Sequence, residues 1–141
     1  SRGLGDVYKR QDRIIVGEVR GDETVDMISS AMLNGHSGSM STGHANNPMD
    51  MLHRLETMML MGIELPLIAI QQQIASALDV IIHLGRLRDK SRKVLEITEV
   101  CGYEKNEIIT RTLFRREEDL ELVQVSELLN REKLARAGVE I

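Results

Sequence analysis

The spacing of apolar residues in the first third of the chain predicts two strands joined by a helix. Residues 13–19 form a short β-branched run, which is typical of a buried strand. The acidic residues Asp22 and Glu23 then favour a helix start, because negative side chains are stabilised at the positive end of a helix. The Asn-Gly pair at 34–35 favours the end of that helix, and the small residues 37–42 predict the second strand.

Two prolines mark two further helices. Asn47 before Pro48 is typical of an N-cap followed by a first-turn proline, and Gly62 favours the end of that helix. Pro66 favours the start of the next one. The apolar stripes that predict their core faces comprise Met51, Leu52, Leu55, Met58 and Met59 in the first and Leu67, Ile70, Ile74 and Leu78 in the second.

From residue 79 the apolar period changes to two, which is typical of strands with one buried face. Residues 80–84 and 94–100 flank a polar turn at 88–92, and this pattern predicts a hairpin. Residues 108–114 show the same alternation and predict a third strand.

The last predicted element is a helix near the end of the sequence. Ser126 with Glu127 favours its start, and Gly138 favours its end. Strands that alternate with helices, followed by a meander, predict an α/β fold whose sheet ends in an antiparallel flank.

Composition limits the classes of protein to which this sequence can belong. The 141 residues allow one ordinary domain, and 42% hydrophobic with 28% charged residues excludes a wholly disordered chain. A net charge of −4 and 2% aromatic residues count against direct nucleic-acid handling. The single cysteine, Cys101, cannot form an internal disulfide, and no apolar run approaches a membrane span of about 20 residues.

Residues 1–11 stand apart from the rest of the sequence. They have neither helical nor strand periodicity and run abruptly into the first predicted strand. Residues 6–11, DVYKRQ, also resemble the translated end of a common library-preparation transposon. We therefore interpret residues 1–11 as a non-native, adaptor-derived segment, with a natural polar arm as the alternative, and residues 12–141 as a partial domain.

The first candidate for chemistry is the acid at the end of the first predicted strand. Glu18 lies where α/β folds place ligand chemistry, at the carboxyl edge of the sheet. Gly17 would let a ligand or a backbone approach, and Arg20 lies two residues on, on the same face. The pattern fits catalysis and a structural ion pair equally well.

The second candidate is the end of the second predicted strand. A neutral His44 could donate a hydrogen bond to a phosphate oxygen, and Thr42 could donate beside it. The alternative is that His44 only bonds a loop carbonyl. Taken alone, the spacing favours the alternative.

Histidines and methionines raise two metal hypotheses, and the sequence favours neither. His36, His44 and His53 are eight and nine residues apart, unlike the close pairs of zinc fingers or the i, i+4 pair of helical zinc sites. The methionines between residues 49 and 61 could bind copper, but they fall largely on the packing face of a predicted helix. We therefore predict no metal site from these side chains.

Four consecutive segments together resemble one family, the type II/type IV secretion and pilus-assembly ATPases. Residues 12–23, DRIIVGEVRGDE, resemble its Walker B segment, and residues 35–46, GHSGSMSTGHAN, its histidine box. Residues 48–56, PMDMLHRLE, resemble the helix after that box. Residues 72–89 are similar to the next helix and hairpin of the Tad/Flp branch, which is CpaF-like.

The resemblance implies the C-terminal half of a RecA-like P-loop ATPase core, with an antiparallel β flank and a C-terminal helix. Such proteins work as homohexameric rings that are cytoplasmic and peripheral to the inner membrane, beside the platform proteins of a secretion or pilus system. The implied reaction is ATP hydrolysis with Mg²⁺, which relies on positioning and charge stabilisation. No direct nucleic-acid partner is expected.

The resemblance also implies roles for individual residues. Glu18 would be the catalytic Walker B acid that orients or deprotonates the attacking water, and His44 the catalytic histidine near the γ-phosphate. Arg54 would orient the histidine loop or reach a neighbouring subunit. The implied nucleotide-binding residues are Thr42, Arg20, His36 and Arg54.

One part of the family's site has no counterpart in this sequence. No G-x-x-x-x-G-K-[ST] motif occurs, so the phosphate cradle and its lysine are missing. We expect the Mg²⁺ ligands to lie upstream and the chain alone to be inactive. The alternatives are a non-catalytic α/β interaction module that keeps only the fold and, more weakly, a DNA-packaging or helicase motor.

Overall fold

A small parallel sheet with helices precedes a larger antiparallel sheet along the chain. The computed structural model describes residues 15–32, 38–118 and 120–140. The first half contains β1 (Ile15–Val16), α1 (Glu23–Asp26), which continues as a π-helix (Met27–Met32), β2 (Met40–Ser41), α2 (Pro48–Gly62) and α3 (Leu67–Ala77). The second half contains β3 (Val80–Arg86), β4 (Arg92–Glu104), β5 (Glu107–Arg116), β6 (Leu122–Gln124) and α4 (Glu132–Arg136).

β1 and β2 pair in parallel, as expected for an α/β sheet. Where the structure describes them, the strands predicted over residues 13–19 and 37–42 are shorter than expected. Beyond β1 and β2 the two segments stay together through other hydrogen bonds. Val19 donates its amide to the Thr42 carbonyl at 2.9 Å. The Thr42 hydroxyl also donates to the Gly17 carbonyl. These bonds hold the carboxyl ends of the two strands side by side without extending the ladder.

The helix predicted after Asp22 begins at Glu23. Its α-helical part ends after Asp26, and the chain continues as the π-helix. Thr24 is fully buried, and its hydroxyl lies 3.4 Å from the sulfur of Met58, which ties α1 to α2. The end predicted at residues 34–35 lies outside the described residues.

α2 and α3 supply most of the core. Asn47 caps α2 as predicted, because its side chain accepts the Asp50 amide at 2.8 Å and Pro48 follows it. Leu67 is an exception to the predicted α3 stripe: it is the first residue of that helix and remains exposed. None of the helices in the described part of the chain has the length and hydrophobicity that crossing a bilayer requires. The buried apolar residues of the two helices are Pro48, Leu52, Leu55, Met58, Met59, Ile70, Ile74, Ala75 and Ala77.

The antiparallel sheet has the order β3-β4-β5-β6. The predicted hairpin and third strand are confirmed, and the observed strands are longer than the apolar pattern alone indicated. β6 was not predicted, because its three residues are too few to show a period. Val100 and Ile108 of this sheet join the core formed by α2 and α3.

The helix predicted from Ser126 is wrong over its first half, since α4 begins only at Glu132. The buried carboxylate of Glu99 accepts the backbone amides of Leu129 and Asn130, each at 2.8 Å. Those amides are therefore bonded to the sheet instead of to a helical turn. The predicted end is confirmed, because Gly138 follows α4 with a φ of +76°.

Candidate functional site

The candidate site lies where β1 and β2 end side by side. Glu18 follows β1, and His44 follows β2. The backbone bond between Val19 and Thr42 fixes the separation of these two segments. Carboxyl ends of neighbouring parallel strands are where open α/β sheets place their ligands.

Glu18 is held between two nitrogen donors. Its Oε2 lies 2.6 Å from Nη2 of Arg20, and its Oε1 lies 3.0 Å from Nε2 of His44. The hydrogen bond from Arg20 lowers the pKa of the Glu18 carboxyl, and the charges of Arg20, His44 and Arg54 lower it further. Glu18 is therefore ionised at neutral pH, and with 26% of its side chain exposed it can still meet a ligand.

His44 presents its ring to solvent. Its side chain is 80% exposed, and its Nε2 contacts the Glu18 carboxylate. The contact that the structure gives this ring is therefore the Glu18 carboxylate, whereas the alternative from the sequence was a loop carbonyl.

The loop that carries His44 is fixed by α2. Arg54, on the second turn of that helix, donates through Nη1 to the His44 carbonyl. Gly43 packs so closely that a Cβ there would lie 2.8 Å from Cε of Met51. Nothing in the sequence identified the carbonyl that Arg54 contacts.

The structure brings five of the six implied site residues into one neighbourhood. Glu18 contacts Arg20 and His44, Arg54 contacts the His44 backbone, and Thr42 bonds to Gly17. Among the residues that the structure describes, none places an atom within 4 Å of a Cβ added at Gly17. The sixth residue, His36, lies outside the described residues. Within the described ranges, no group of three or more His, Cys, Asp or Glu side chains could hold a metal ion.

A cleft of about 550 Å³ extends from this site, and sequence reasoning missed it. One wall is the loop from Thr42 to Ala45 with the start of α2, and the other is β3 with Arg92 of β4. Its existence depends on how the hairpin folds back toward β2. That packing between distant segments leaves no signal in a local pattern.

Three comparisons with known proteins agree with one another. Residues 7–133 match the family described as "Type II/IV secretion system protein". A putative conjugal transfer protein of Mycobacterium tuberculosis is 40% identical over 105 residues, which cover 67% of this chain and 29% of that protein. The conjugal transfer protein TrbB of Rhizobium radiobacter is 36% identical over 110 residues, which cover 78% of this chain and 32% of TrbB.

The fold also matches a solved structure. The VirB11 ATPase from the Brucella suis type IV secretion system, crystallised with sulphate, superposes with a TM-score of 0.60 at 25% identity. The match covers 68% of this chain and 31% of the VirB11 chain. The predicted mixed α/β fold with an antiparallel flank is therefore confirmed as that of the C-terminal region of the ATPase fold. The chain spans about a third of the length of the curated relatives described above.

Proposed function

The chain belongs to the type II/IV secretion system protein family, and on that premise we propose that it forms the hydrolysis side of a longer ATPase, here called the parent motor. The contact of 3.0 Å between the Glu18 carboxylate and the His44 ring carries the proposal. It joins an ionised acid to an exposed donor at the ends of adjacent parallel strands. In the parent motor, hydrolysis of ATP drives transport across the cell envelope.

Glu18 is the group that acts on the attacking water. Its lowered pKa keeps it a carboxylate that accepts a hydrogen bond. A carboxyl whose pKa lies well below neutral is a weak base, so orienting the water suits Glu18 better than removing a proton outright. Phosphoryl transfer relies mainly on positioning and charge stabilisation, which makes such a role sufficient.

His44 exchanges partners when ATP is bound. With Nε2 facing Glu18, that nitrogen cannot donate to a phosphate oxygen at the same time. Turning the exposed ring toward the γ-phosphate gives the phosphate a donor and frees Oε1 of Glu18 for water. The two residues thus respond together to the terminal phosphate.

The remaining residues position this pair. Arg54 holds the His44 loop through its carbonyl and acts through His44 instead of contacting the nucleotide. Arg20 keeps Glu18 ionised and offers an exposed cation beside the phosphates. Thr42, whose hydroxyl bonds to Gly17, holds the two strand ends at a fixed separation.

The side chains of this site are better suited to binding the phosphates of ATP than to binding Mg²⁺. His44 and Arg20 are exposed donors for phosphate oxygens, whereas Glu18 is the carboxylate that contacts both of their side chains. Mg²⁺, when bound, neutralises charge on the phosphates. We assign its protein ligands and the phosphate cradle to the upstream half of the parent motor, and we expect the chain alone neither to bind ATP tightly nor to hydrolyse it.

The proposal also covers how the parent motor assembles and which transport system it serves. We propose a homohexameric ring, peripheral to the cytoplasmic face of the inner membrane and docked on its platform proteins. The motifs at residues 72–89 resemble the Tad/Flp branch, whereas the relatives described above carry conjugal transfer names. Neighbouring prepilin genes would support pilus assembly, and neighbouring relaxase genes would support conjugal transfer.

His44→Ala in the parent motor tests the proposal. We expect ATP turnover to fall about 10²-fold, the usual loss when a charge-stabilising donor is removed. Thermal stability should change by less than about 0.5 kcal/mol, because the ring is exposed. Turnover and melting temperature are measured on one preparation. The matched control is His53→Ala on the exposed face of α2, which should leave both unchanged.

Arg54→Ala separates a positioning residue from a nucleotide contact. If Arg54 acts through the His44 loop, kcat should fall about 10–10²-fold while KM for ATP stays nearly constant, because small misplacements of a catalytic group cost that much. A rise in KM with unchanged kcat would instead assign Arg54 to nucleotide binding. Arg115→Ala, an exposed arginine of β5, serves as the control.

A further inference from the structure

Met51, near the start of α2, packs against the loop that carries His44. A Cβ added at Gly43 would lie 3.1 Å from the sulfur of Met51 and 2.8 Å from its terminal carbon. The same Cβ would lie 3.5 Å from Cγ2 of the buried Val19. The thioether of Met51 therefore fills the space beside the Gly43 backbone, one residue before His44.

Met51 can also be reached from the cleft beside the candidate site. It is half-buried and lines that cleft, whose volume is about 550 Å³. Further along α2, Met58 and Met59 are 8% and 0% exposed and belong to the core. Met61, at the end of the helix, is 82% exposed. Met51 thus combines two properties that these three methionines do not share, because it is accessible and it supports the His44 loop.

We propose that Met51 is a site of reversible oxidation, through which a peroxide switches off the candidate site. The thioether sulfur attacks one oxygen of hydrogen peroxide, so that an S–O bond forms and the O–O bond breaks. The sulfur is oxidised by two electrons, and the other oxygen leaves as water after it takes the proton of the attacked oxygen. The product is methionine sulfoxide, which methionine sulfoxide reductases return to methionine.

Oxidation changes the polarity of the contact between Met51 and the loop. Methionine sulfoxide is polar, and burying its oxygen without a hydrogen-bond donor costs free energy. Neither the α-carbon of Gly43 nor the methyl group of Val19 can donate to that oxygen. The oxidised side chain therefore turns toward the cleft, and the Gly43 backbone loses the packing that the thioether provides.

The loss of packing acts on the candidate site through His44. The His44 ring contacts the Glu18 carboxylate at 3.0 Å, and its position depends on the backbone one residue earlier. Turnover of ATP by the parent motor should fall about 10–10²-fold, because small misplacements of a catalytic group cost that much. Met51 is thus a positioning residue while it is reduced, and its oxidation displaces the group that it positions.

This inference concerns the regulation of the proposed function and rests on it. The oxidation of Met51 and its effect on the His44 ring are measured on the 141-residue chain without ATP, so they can fail while the hydrolysis proposal stands. Conversely, a parent motor whose turnover does not depend on His44 would contradict the hydrolysis proposal and leave these two measurements unchanged.

The first experiment treats the chain with hydrogen peroxide and follows each methionine by peptide mass spectrometry. Met51 should oxidise along with the exposed methionines of the described chain, while Met58 and Met59 stay reduced. Those exposed methionines are Met40, Met49 and Met61. The NMR signal of the His44 ring should shift as Met51 oxidises, and methionine sulfoxide reductases should restore it. A Met51 that stays reduced after the exposed methionines are fully oxidised would overturn the proposal.

Met51→Leu identifies the responsible sulfur, because leucine is similar in volume and cannot form a sulfoxide. Its matched control, Met40→Leu/Met49→Leu/Met61→Leu, removes the exposed methionines and keeps Met51. Peroxide should leave the His44 signal of Met51→Leu in place and shift that of the control as in the wild type. A signal that shifts equally in Met51→Leu would overturn the proposal. Melting curves recorded before oxidation show whether each variant is folded.

The control variant decides the question alone if Met51→Leu does not fold. An unchanged His44 signal in that variant, once its Met51 is oxidised, would overturn the proposal. In the parent motor, peroxide should lower turnover of the wild type and the control about 10–10²-fold and leave Met51→Leu at its own untreated rate. An equal loss of turnover in Met51→Leu would assign the loss to another residue and overturn the switch.

Discussion

Glu18→Gln is expected to leave nucleotide binding by the parent motor intact and to slow ATP hydrolysis by about 10²–10³-fold, the range typical of removing one positioned polar group from a preorganised site. Glutamine keeps the size of the side chain and one acceptor oxygen. It loses the negative charge that Arg20 and His44 now meet at 2.6 and 3.0 Å. Binding of a labelled ATP analogue and steady-state turnover, measured on the same preparation, separate the two effects.

A neighbouring acid provides the matched control. Glu23 accepts the backbone amides of Arg20 and Gly21 at the start of α1, and Glu23→Gln retains an acceptor for them. Its turnover should remain close to that of the wild type. Unchanged turnover in Glu18→Gln would make Glu18 a structural partner of Arg20, which is the alternative that the sequence pattern left open. An equal loss of turnover in Glu23→Gln would mean that turnover depends on either acid near the end of β1 and not on Glu18 in particular.

Local signals predicted the parts of the fold that local chemistry specifies. α2 begins and ends where Asn47, Pro48 and Gly62 indicated, because an N-cap, a first-turn proline and a glycine act over a few residues. The β3–β4 hairpin follows from alternation around a polar turn in the same way. In both cases the residues that specify the element lie within it or next to its ends.

The predicted helix from Ser126 is wrong because a distant residue overrides a local signal. Glu99 lies about thirty residues upstream, yet its carboxylate takes the Asn130 amide, which would bond to the Ser126 carbonyl in a helix capped by Ser126, together with the Leu129 amide beside it. The Ser126 hydroxyl is also bonded, as a donor to the Thr112 carbonyl. A capping residue indicates a helix only where its neighbours are free to form one.

The candidate site also has features that local signals predict and features that they do not. That Glu18, Arg20 and His44 lie close together was predictable, because each follows a strand and strand ends meet at one edge of a parallel sheet, whereas their roles stay predictions. The contact of Arg54 with the His44 carbonyl was not, since a backbone carbonyl leaves no mark in the sequence. The cleft beside β3 depends on packing between segments some forty residues apart, which a pattern of local spacing does not record.

Glu99 also offers the largest expected effect on stability. Its side chain is 1% exposed, and both oxygens accept backbone amides of the segment that leads into α4. Asn130 in that segment also donates its side-chain amide to the Cys101 carbonyl at 3.2 Å. These bonds connect the last part of the described chain to the middle of β4.

Glu99→Ala is therefore expected to lower the free energy of unfolding by about 2–4 kcal/mol, because hydrogen bonds to a charged acceptor contribute about 1.5–3 kcal/mol each and their donors are left unpaired. The corresponding fall in melting temperature is about 10 °C for a chain of this size. Glu99→Gln should also destabilise the chain, since its side-chain amide places a donor opposite one of the two backbone N–H donors.

Glu104→Ala, at the exposed end of the same strand, is the matched control and should change stability by less than about 0.5 kcal/mol. Limited proteolysis should cut near residues 126–131 faster in Glu99→Ala than in the control, because the carboxylate is what holds that segment on β4. Equal melting temperatures for Glu99→Ala and Glu104→Ala would show that the apolar contacts of the sheet, and not this carboxylate, retain the segment.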